Sequence, residues 1–187
     1  MESETVTYFQ SPVFHVGRKN KVNHFCNDDN FIICHKEDGN WLGNGMYFWD
    51  NEYDANYWFC NLKKKYPDEL YLCTKGNLKV PEDQMLNLTN KKDMDQFSKE
   101  LEHLCSLFKR EVKNSLGANI NLYYKLYEEF SGYKPFIVSK IFAQYANIPV
   151  NELIYKPSMG PKITTNIRTI YSVLEASAIH NRILVSL

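Results

Sequence analysis

Apolar and aromatic residues in the first fifty positions come in short runs, at Tyr8-Phe9, Val13-Phe14-His15-Val16, Phe31-Ile32-Ile33-Cys34 and Met46-Tyr47-Phe48-Trp49, separated by Gly, Asn and Asp clusters. Runs of that length with that punctuation predict short strands and turns. From Asp50 the period lengthens. Ala55, Trp58, Phe59 and Leu62 fall at i, i+3, i+4 and i+7, Asp50 or Asn51 can cap the start, and Pro67 lies just beyond a lysine run. This pattern predicts a helix from about Asn51 to Lys65, about four turns long.

Glu69 to Leu72 and Asn77 to Val80 read as strands around a turn at Lys75-Gly76-Asn77. A helix-rich stretch follows: Met94, Phe97, Leu101, Leu104 and Phe108 mark one amphipathic helix, a second pattern runs from Ile120 to Phe130, and a third from Phe136 to Ala146. After a loop at Pro157-Ser158-Met159-Gly160-Pro161 the chain becomes extended again at Thr169-Ile170-Tyr171-Ser172-Val173-Leu174. Strands with one helix, a helical block and closing strands together predict an α+β fold rather than alternating βαβ units. No internal repeat or linker divides the chain, so residues 1–187 are expected to form one domain, with the helical segment at about 90–146 inserted in it or packed alongside.

With 187 residues, 44% of them apolar, the chain can bury one good core and not two comfortable ones. Its 22 basic and 22 acidic residues cancel, which removes any whole-molecule field that would pull it onto nucleic acid or an anionic membrane. The opening Met-Glu-Ser-Glu-Thr has neither a basic n-region nor an apolar core, and no apolar stretch approaches a membrane span. The expectation is a soluble, cytoplasmic protein with no membrane association. The five cysteines are odd in number and show no C-x-x-C spacing; nor do the histidines show H-x-x-x-H, so reduced thiols and no metal site are expected.

Candidate chemistry lies between residues 14 and 58. Gly43-x-Gly45 alone would read as a hairpin turn at Asn44-Gly45. It is followed, however, by Tyr47 and Phe48, then by Ala55 eight residues and Trp58 eleven residues beyond the tyrosine. Tyr47 would sit on a strand, while Ala55 and Trp58 share one face of the next helix. A strand-turn-helix unit of this kind sets two aromatic planes on the walls of one cleft with a small residue at its floor, able to hold a flat heteroaromatic ring by stacking. Upstream, Phe14-His15-Val16-Gly17-Arg18 ends an apolar strand with a titratable side chain and a glycine that lets backbone approach a ligand.

The run GNGMYFWDNEYDANYW resembles the second motif of the diphtheria-toxin-like ADP-ribosyltransferases, the group that includes poly(ADP-ribose) polymerase catalytic domains and many small bacterial toxins and effectors. FHVGR resembles their first motif, and the likeness covers residues 13 to 62, extending more loosely over Leu70 to Thr89 and the last strand. The resemblance implies a split antiparallel β-sheet core and NAD as co-substrate. It implies that His15 hydrogen-bonds the ribose of the nicotinamide half, that Val16 and Gly17 offer backbone groups to the carboxamide, and that Tyr47 and Trp58 sandwich the nicotinamide ring. Gly45 and Phe48 belong to the same cofactor-binding segment, Arg18 reaches the phosphates or the adenosine side, and Ala55 stands where many members carry a serine. The implied activity is that of a glycosyltransferase, a mono-ADP-ribosyltransferase that breaks the nicotinamide–ribose bond through an oxocarbenium-like state and modifies a macromolecule. A toxin, effector or defence element, with a possible antitoxin or regulator as partner, fits the small size.

The third family motif departs from its pattern. A glutamate should open the last strand, but that place falls on Thr169 or Ile170, and Glu175 comes five or six residues late, an odd number from Ile170 and so on the opposite strand face. Glu175 is retained as the candidate acid beside His15 and Tyr47. Three alternatives stay open: a mono-transferase lacking the glutamate, an acid supplied from elsewhere, and a domain that binds NAD or ADP-ribose, or only a protein partner, without turnover. NAD hydrolysis with water as acceptor is a further rival. The resemblance implies that acceptor specificity sits in the Met159-Gly160-Pro161-Lys162 region, near the third motif. Trp41 and Trp49 read as core aromatics, Lys63-Lys64-Lys65 as the solvated end of a helix, and Tyr123, Tyr124, Tyr127 and Phe130 as helix packing.

Overall fold

The computed structural model describes residues 6–34, 41–144 and 167–187. The chain runs β1 (Tyr8–Arg18), α1 (Lys19–Asn27), β2 (Met46–Trp49), α2 (Glu52–Lys65), β3 (Tyr71–Pro81), β4 (Met85–Asn87), α3 (Lys91–Leu107), α4 (Leu116–Ser131), β5 (Val138–Gln144), β6 (Ile167–Val173) and β7 (Ile179–Val185). The strands form one mixed sheet in the order β4-β5-β6-β2-β1-β3-β7. Every neighbouring pair is antiparallel except β4 and β5, so the molecule is α+β. Among the described residues no helix is long and apolar enough to cross a membrane.

Alternation along the strands sorts the core into two clusters, one on each face of the sheet. Phe14, Val16, Trp49 and Ile170 face the layer built by α2, α3 and α4, where they meet Ala55, Leu101, Leu104, Ile120 and Tyr123. Val13, Met46, Phe48, Tyr171 and Val173 face the other way, under Val22 and Phe25 of α1. The pairing is uneven. β1 and β3 run together from Tyr8↔Pro81 to Arg18↔Tyr71, whereas β1 and β2 meet at Phe14↔Trp49.

Helix α2 has the expected span to within a residue: the Asn51 side chain caps it by accepting from the Asp54 amide, with Glu52 and Asp54 at its positive end and Lys63, Lys64 and Lys65 at its negative end. Three expectations are corrected. The segment read as a third helix, 136–146, contains β5 instead. Its apolar residues 136–138 and 141–143 fit either period; inside the sheet, between β4 and β6, its β-branched and aromatic residues pair as a strand. The two strands placed around Lys75-Gly76-Asn77 are one strand, β3, whose partnership with β7 shifts register there. A Cβ on Gly76 would come within 2.6 Å of the Ile179 side chain, so the glycine lets the strand pass rather than turn. Helix α1 has no strand-like character despite lying in the first fifty residues. Its apolar signal is one i, i+3 pair, Val22 and Phe25, too little to register as a period.

Arg182 closes the far side of the α1 layer. Its Nε donates to the Ile179 carbonyl (3.0 Å), Nη1 to Phe25 (3.0 Å) and Asp28 (2.9 Å), and Nη2 to Asp29 (3.0 Å) and Ala176 (2.5 Å), with the guanidinium 4.2 Å from the Phe25 ring centroid. Burial lowers its pKa from the ordinary arginine value. Five N–H groups meet five carbonyls, several of them at the negative end of α1. Arg182→Ala is therefore expected to lower unfolding stability by about 2–4 kcal/mol. Arg182→Lys, with a point charge in place of a fork, should recover less than half of it. Urea denaturation checks both, and a loss under ~0.5 kcal/mol for the alanine variant would refute the staple.

Candidate functional site

The two sequence motifs fall on β1 and β2, next to each other at the centre of the sheet. Past Phe14↔Trp49 the ladder between these strands stops, and a side chain continues the connection: His15 Nδ1 lies 2.7 Å from the Tyr47 carbonyl. A carbonyl only accepts, so Nδ1 carries the proton; in the neutral ring this leaves Nε2 as the acceptor nitrogen. Nε2 faces Gly17, where a Cβ would come within 2.8 Å of it. The imidazole is 5% exposed and packs on Phe48 at 5.6 Å between centroids. Val16 is buried, and Arg18, at the end of β1, pairs with Glu69 at 3.1 Å where both are exposed.

Tyr47 grips its own loop. Its hydroxyl donates to the Gly43 carbonyl at 2.6 Å and accepts from the Leu42 amide at 3.0 Å. Gly43 has φ +77°, a left-handed conformation that favours glycine, and a Cβ there would strike Asn121 Oδ1 at 2.5 Å. Asn121, on α4, accepts from the Asn44 amide at 2.7 Å and returns a bond from its own amide to Asn44 Oδ1 at 3.2 Å. The glycine-rich turn is thus held from outside by a helix 77 residues away in sequence.

Gly45 is held from the sheet side. β2 pairs with β6 so that Tyr47 stands opposite Ser172 and Trp49 opposite Ile170. The Ser172 hydroxyl fills the place a Gly45 Cβ would take, 2.2 Å from that position. It is buried and has no hydrogen-bond partner among the described residues, as is Trp49 Nε1.

On α2, Ala55 is fully buried and Trp58 is half-buried, its ring 5.9 Å from Trp49 and 6.4 Å from Trp41. Tyr47 and Trp58 pack against the same core cluster, while Phe48 is turned to the opposite face and is fully buried there. The neighbouring face of α2 carries Asp54 and Tyr57. Arg168 of β6 lies beneath them, its Nε 3.0 Å from Asp54 Oδ1 and its guanidinium carbon 4.2 Å from the Tyr57 ring centroid. The Arg168 and Asp54 side chains are only 2% and 8% exposed. Asp54 Oδ2 also accepts from Asn51 Nδ2 at 2.8 Å.

Glu175 does not join this group. It follows β6 as the residue before a 3-10 turn at Ala176–Ala178 and pairs with Lys134, whose amine this hydrogen bond raises above its usual pKa. The Met159-Gly160-Pro161-Lys162 region lies outside the described residues. Near the first motif, a groove of about 510 Å³ is lined by Arg18, Lys19, Asn20 and Asn23 with Asp68, Glu69 and Leu70.

Asn121, Asp54, Tyr57, Arg168 and Ser172 were missed by sequence reasoning. Asp54 and Tyr57 had a signal, the i, i+3 spacing beside a capping asparagine, and Arg168 and Ser172 had another, two polar residues on one face of an otherwise apolar strand. Asn121 had none. Comparison with known proteins gives no match, either to a family model or to a curated sequence.

The Gly45–Ser172 contact predicts a coupled pair. Gly45→Ala should lose about 1–3 kcal/mol through overpacking. In a Ser172→Ala background the clashing oxygen is gone and the remaining neighbours stand at 3.1 and 3.3 Å, so the same change should cost less than half as much. A double-mutant cycle by denaturation measures this, and additive effects would contradict the geometry.

Proposed function

We propose that this chain is an NAD-dependent mono-ADP-ribosyltransferase that modifies a macromolecular target and releases nicotinamide, working as a toxin, effector or defence element in a cytoplasm. The observation that carries the reading is the 2.7 Å bond from His15 to the Tyr47 carbonyl, which joins the two motifs that resemble the ADP-ribosyltransferase pattern. That bond gives His15 a fixed tautomer suited to accept from a ribose hydroxyl through Nε2. Tyr47, braced by Gly43 and Leu42, supplies a rigid aromatic wall, and the end of the β1–β2 ladder leaves the second half of β1 open toward β2.

NAD fits the donor set as a substrate. The groove lined by Arg18, Lys19, Asn20 and Asn23 on one side and by Asp68, Glu69 and Leu70 on the other has a volume within the usual range of ligand pockets; its basic and amide groups suit a diphosphate, and its carboxylates suit ribose hydroxyls. Arg18 gives up only an exposed ion pair to engage a phosphate, an exchange costing little. In the reaction the bond between ribose C1′ and nicotinamide N1 breaks, with its electron pair leaving on nicotinamide. An acceptor oxygen or nitrogen then bonds C1′, and its proton passes to solvent. The protein's tasks are to hold the leaving ring, orient the ribose and stabilise the positive charge that grows on it.

A second reading, an NAD- or ADP-ribose-binding module without turnover, is favoured by one observation: Glu175 is engaged with Lys134 beyond the end of β6. Incubation of the purified protein with labelled NAD and cell lysate separates the readings. Labelled macromolecule is expected, with His15→Ala and Tyr47→Ala each losing at least about 100-fold of it. Equal labelling by both variants would overturn the transferase reading. NAD binding in calorimetry without nicotinamide release would establish the module, and free ADP-ribose with no labelled macromolecule would identify hydrolysis.

A further inference from the structure

We infer that the cavity between α3, α4 and the edge strand β4 is a docking pocket for an arginine side chain carried on a segment of a partner polypeptide. It shares no lining residue with the groove at Arg18 and does not depend on the transferase reading. The cavity has a volume of about 270 Å³. Pockets that hold drug-sized molecules start at about 300 Å³, so this one suits a group the size of a side chain. Its buried lining is aromatic: Phe97 of α3, Tyr123 of α4 and Phe136 before β5. Ring centroids stand 5.1 Å apart for Phe97 and Tyr123 and 6.1 Å apart for Tyr123 and Phe136, the latter two nearly parallel. Ring faces attract cations, and a planar guanidinium can also stack on them.

Charge selects the occupant. Asp83, Asp93 and Glu100 line the cavity, and no lysine, arginine or histidine does. Among the described residues none of the three carboxylates pairs with a cation, although the chain carries 22 basic residues. Asp83 is exposed, and Asp93 sits in the first turn of α3, where the positive helix end favours an acid. Glu100, in the third turn, has neither reason to be there. It is half-buried beside Phe97 and Tyr123, and its oxygens accept from neutral groups, Oε1 from Gln96 Nε2 at 2.6 Å and Oε2 from the Tyr123 hydroxyl at 2.5 Å. These bonds fix the carboxylate and leave about two of its roughly four lone-pair sites. A guanidinium meets a carboxylate through two parallel N–H groups and keeps others for Asp83 or Asp93. It is also more weakly hydrated than an ammonium, so leaving water costs it less.

The strand β4 makes the partner a polypeptide. It is the edge of the sheet, with nothing paired on its outer side among the described residues, and Met85, Leu86 and Asn87 all line the cavity. An extended segment added to that edge is held by main-chain hydrogen bonds while one of its side chains enters the pocket beside it. Arginine seated in a pocket is a frequent source of binding energy at protein interfaces.

The test is an NMR titration of the full chain with acetyl-Gly-Arg-Gly-amide, with the thermal midpoint followed in parallel. Saturable binding with a Kd of about 1 mM or tighter is expected. The lysine counterpart should bind at least about threefold more weakly and the uncharged citrulline counterpart at least about tenfold more weakly. Glu100→Gln keeps an acceptor for Tyr123 and removes the charge, and should weaken the arginine peptide about tenfold. Should that variant lose thermal midpoint, Asp83→Asn with Asp93→Asn changes only the outer carboxylates and should weaken it about fivefold. Absence of saturation, a citrulline or lysine peptide that binds as tightly, or affinity within about twofold of the unsubstituted chain in both variants would overturn the assignment. Agmatine, a free guanidine, binding as tightly as the peptide would overturn the polypeptide partner and give the pocket to a small molecule. No NAD is present in these titrations, so each outcome leaves the transferase reading as it stands.

Discussion

The Tyr47 carbonyl faces β1 beyond the point where the ladder between the two strands has ended. Left unpaired in a buried place, it would cost about 1–3 kcal/mol. His15 Nδ1 takes the position a backbone amide would have held, so the two halves of the sheet, β4-β5-β6-β2 and β1-β3-β7, are joined at their narrowest point by one register pair and one imidazole. The consequence reaches both faces. The ring packs on Phe48 with the α1 layer, and the carbonyl it holds belongs to the residue whose phenol packs with α2, α3 and α4. Whatever chemistry the centre of the sheet performs, its histidine is also a structural member with its tautomer already chosen.

Two arginines in this small domain reach burial by opposite routes. Arg182 spends its five N–H groups on main-chain carbonyls, most of them from the end of α1 and the turns around it. That arrangement meets partial negative charge with full positive charge and satisfies acceptors that a helix end leaves open, so it is accounted for by stability. Arg168 instead lies beside a full opposite charge under an aromatic ring, four residues along β6 from Ser172, which stands opposite Tyr47. The first solution is a staple. The second sets two opposite charges in a buried layer, where desolvation offsets much of their attraction.

The helical block between β4 and β5 gains a role from one asparagine. Tyr123 on α4 donates to Glu100 on α3 at 2.5 Å, with its hydroxyl pKa raised first by burial and then by that bond, which ties the two helices together. Asn121, two residues earlier, reaches the other way to the glycine-rich turn. The geometry of Gly43 to Tyr47 therefore depends on packing set by Phe97, Leu101 and Ile120, residues with no contact to a ligand in the transferase reading.

Periodicity made α2, α3 and α4 legible, because a helix writes its buried face into neighbouring residues; at α2 the start was legible too, since Asn51 caps it as expected, whereas the caps Asn90 and Ser115 of α3 and α4 lie ahead of the apolar pattern and were not read from it. The short runs of β1 and β2 were legible as strands, and the α+β class followed from the order of elements. The spacing from Gly43 to Trp58 determined which segment would carry the candidate site. Tertiary structure decided the rest. Residues 138–144 are a strand because their neighbours are strands, since an apolar run of that length fits either period. Which face of α2 meets β6, and so the pairing of Asp54 with Arg168, depends on register between elements more than a hundred residues apart. The same holds for Ser172 against Gly45, Asn121 against Asn44 and His15 against the Tyr47 carbonyl. Local pattern records which side of an element is buried, whereas the partner met there is chosen by strand order and register, which no short stretch of sequence contains.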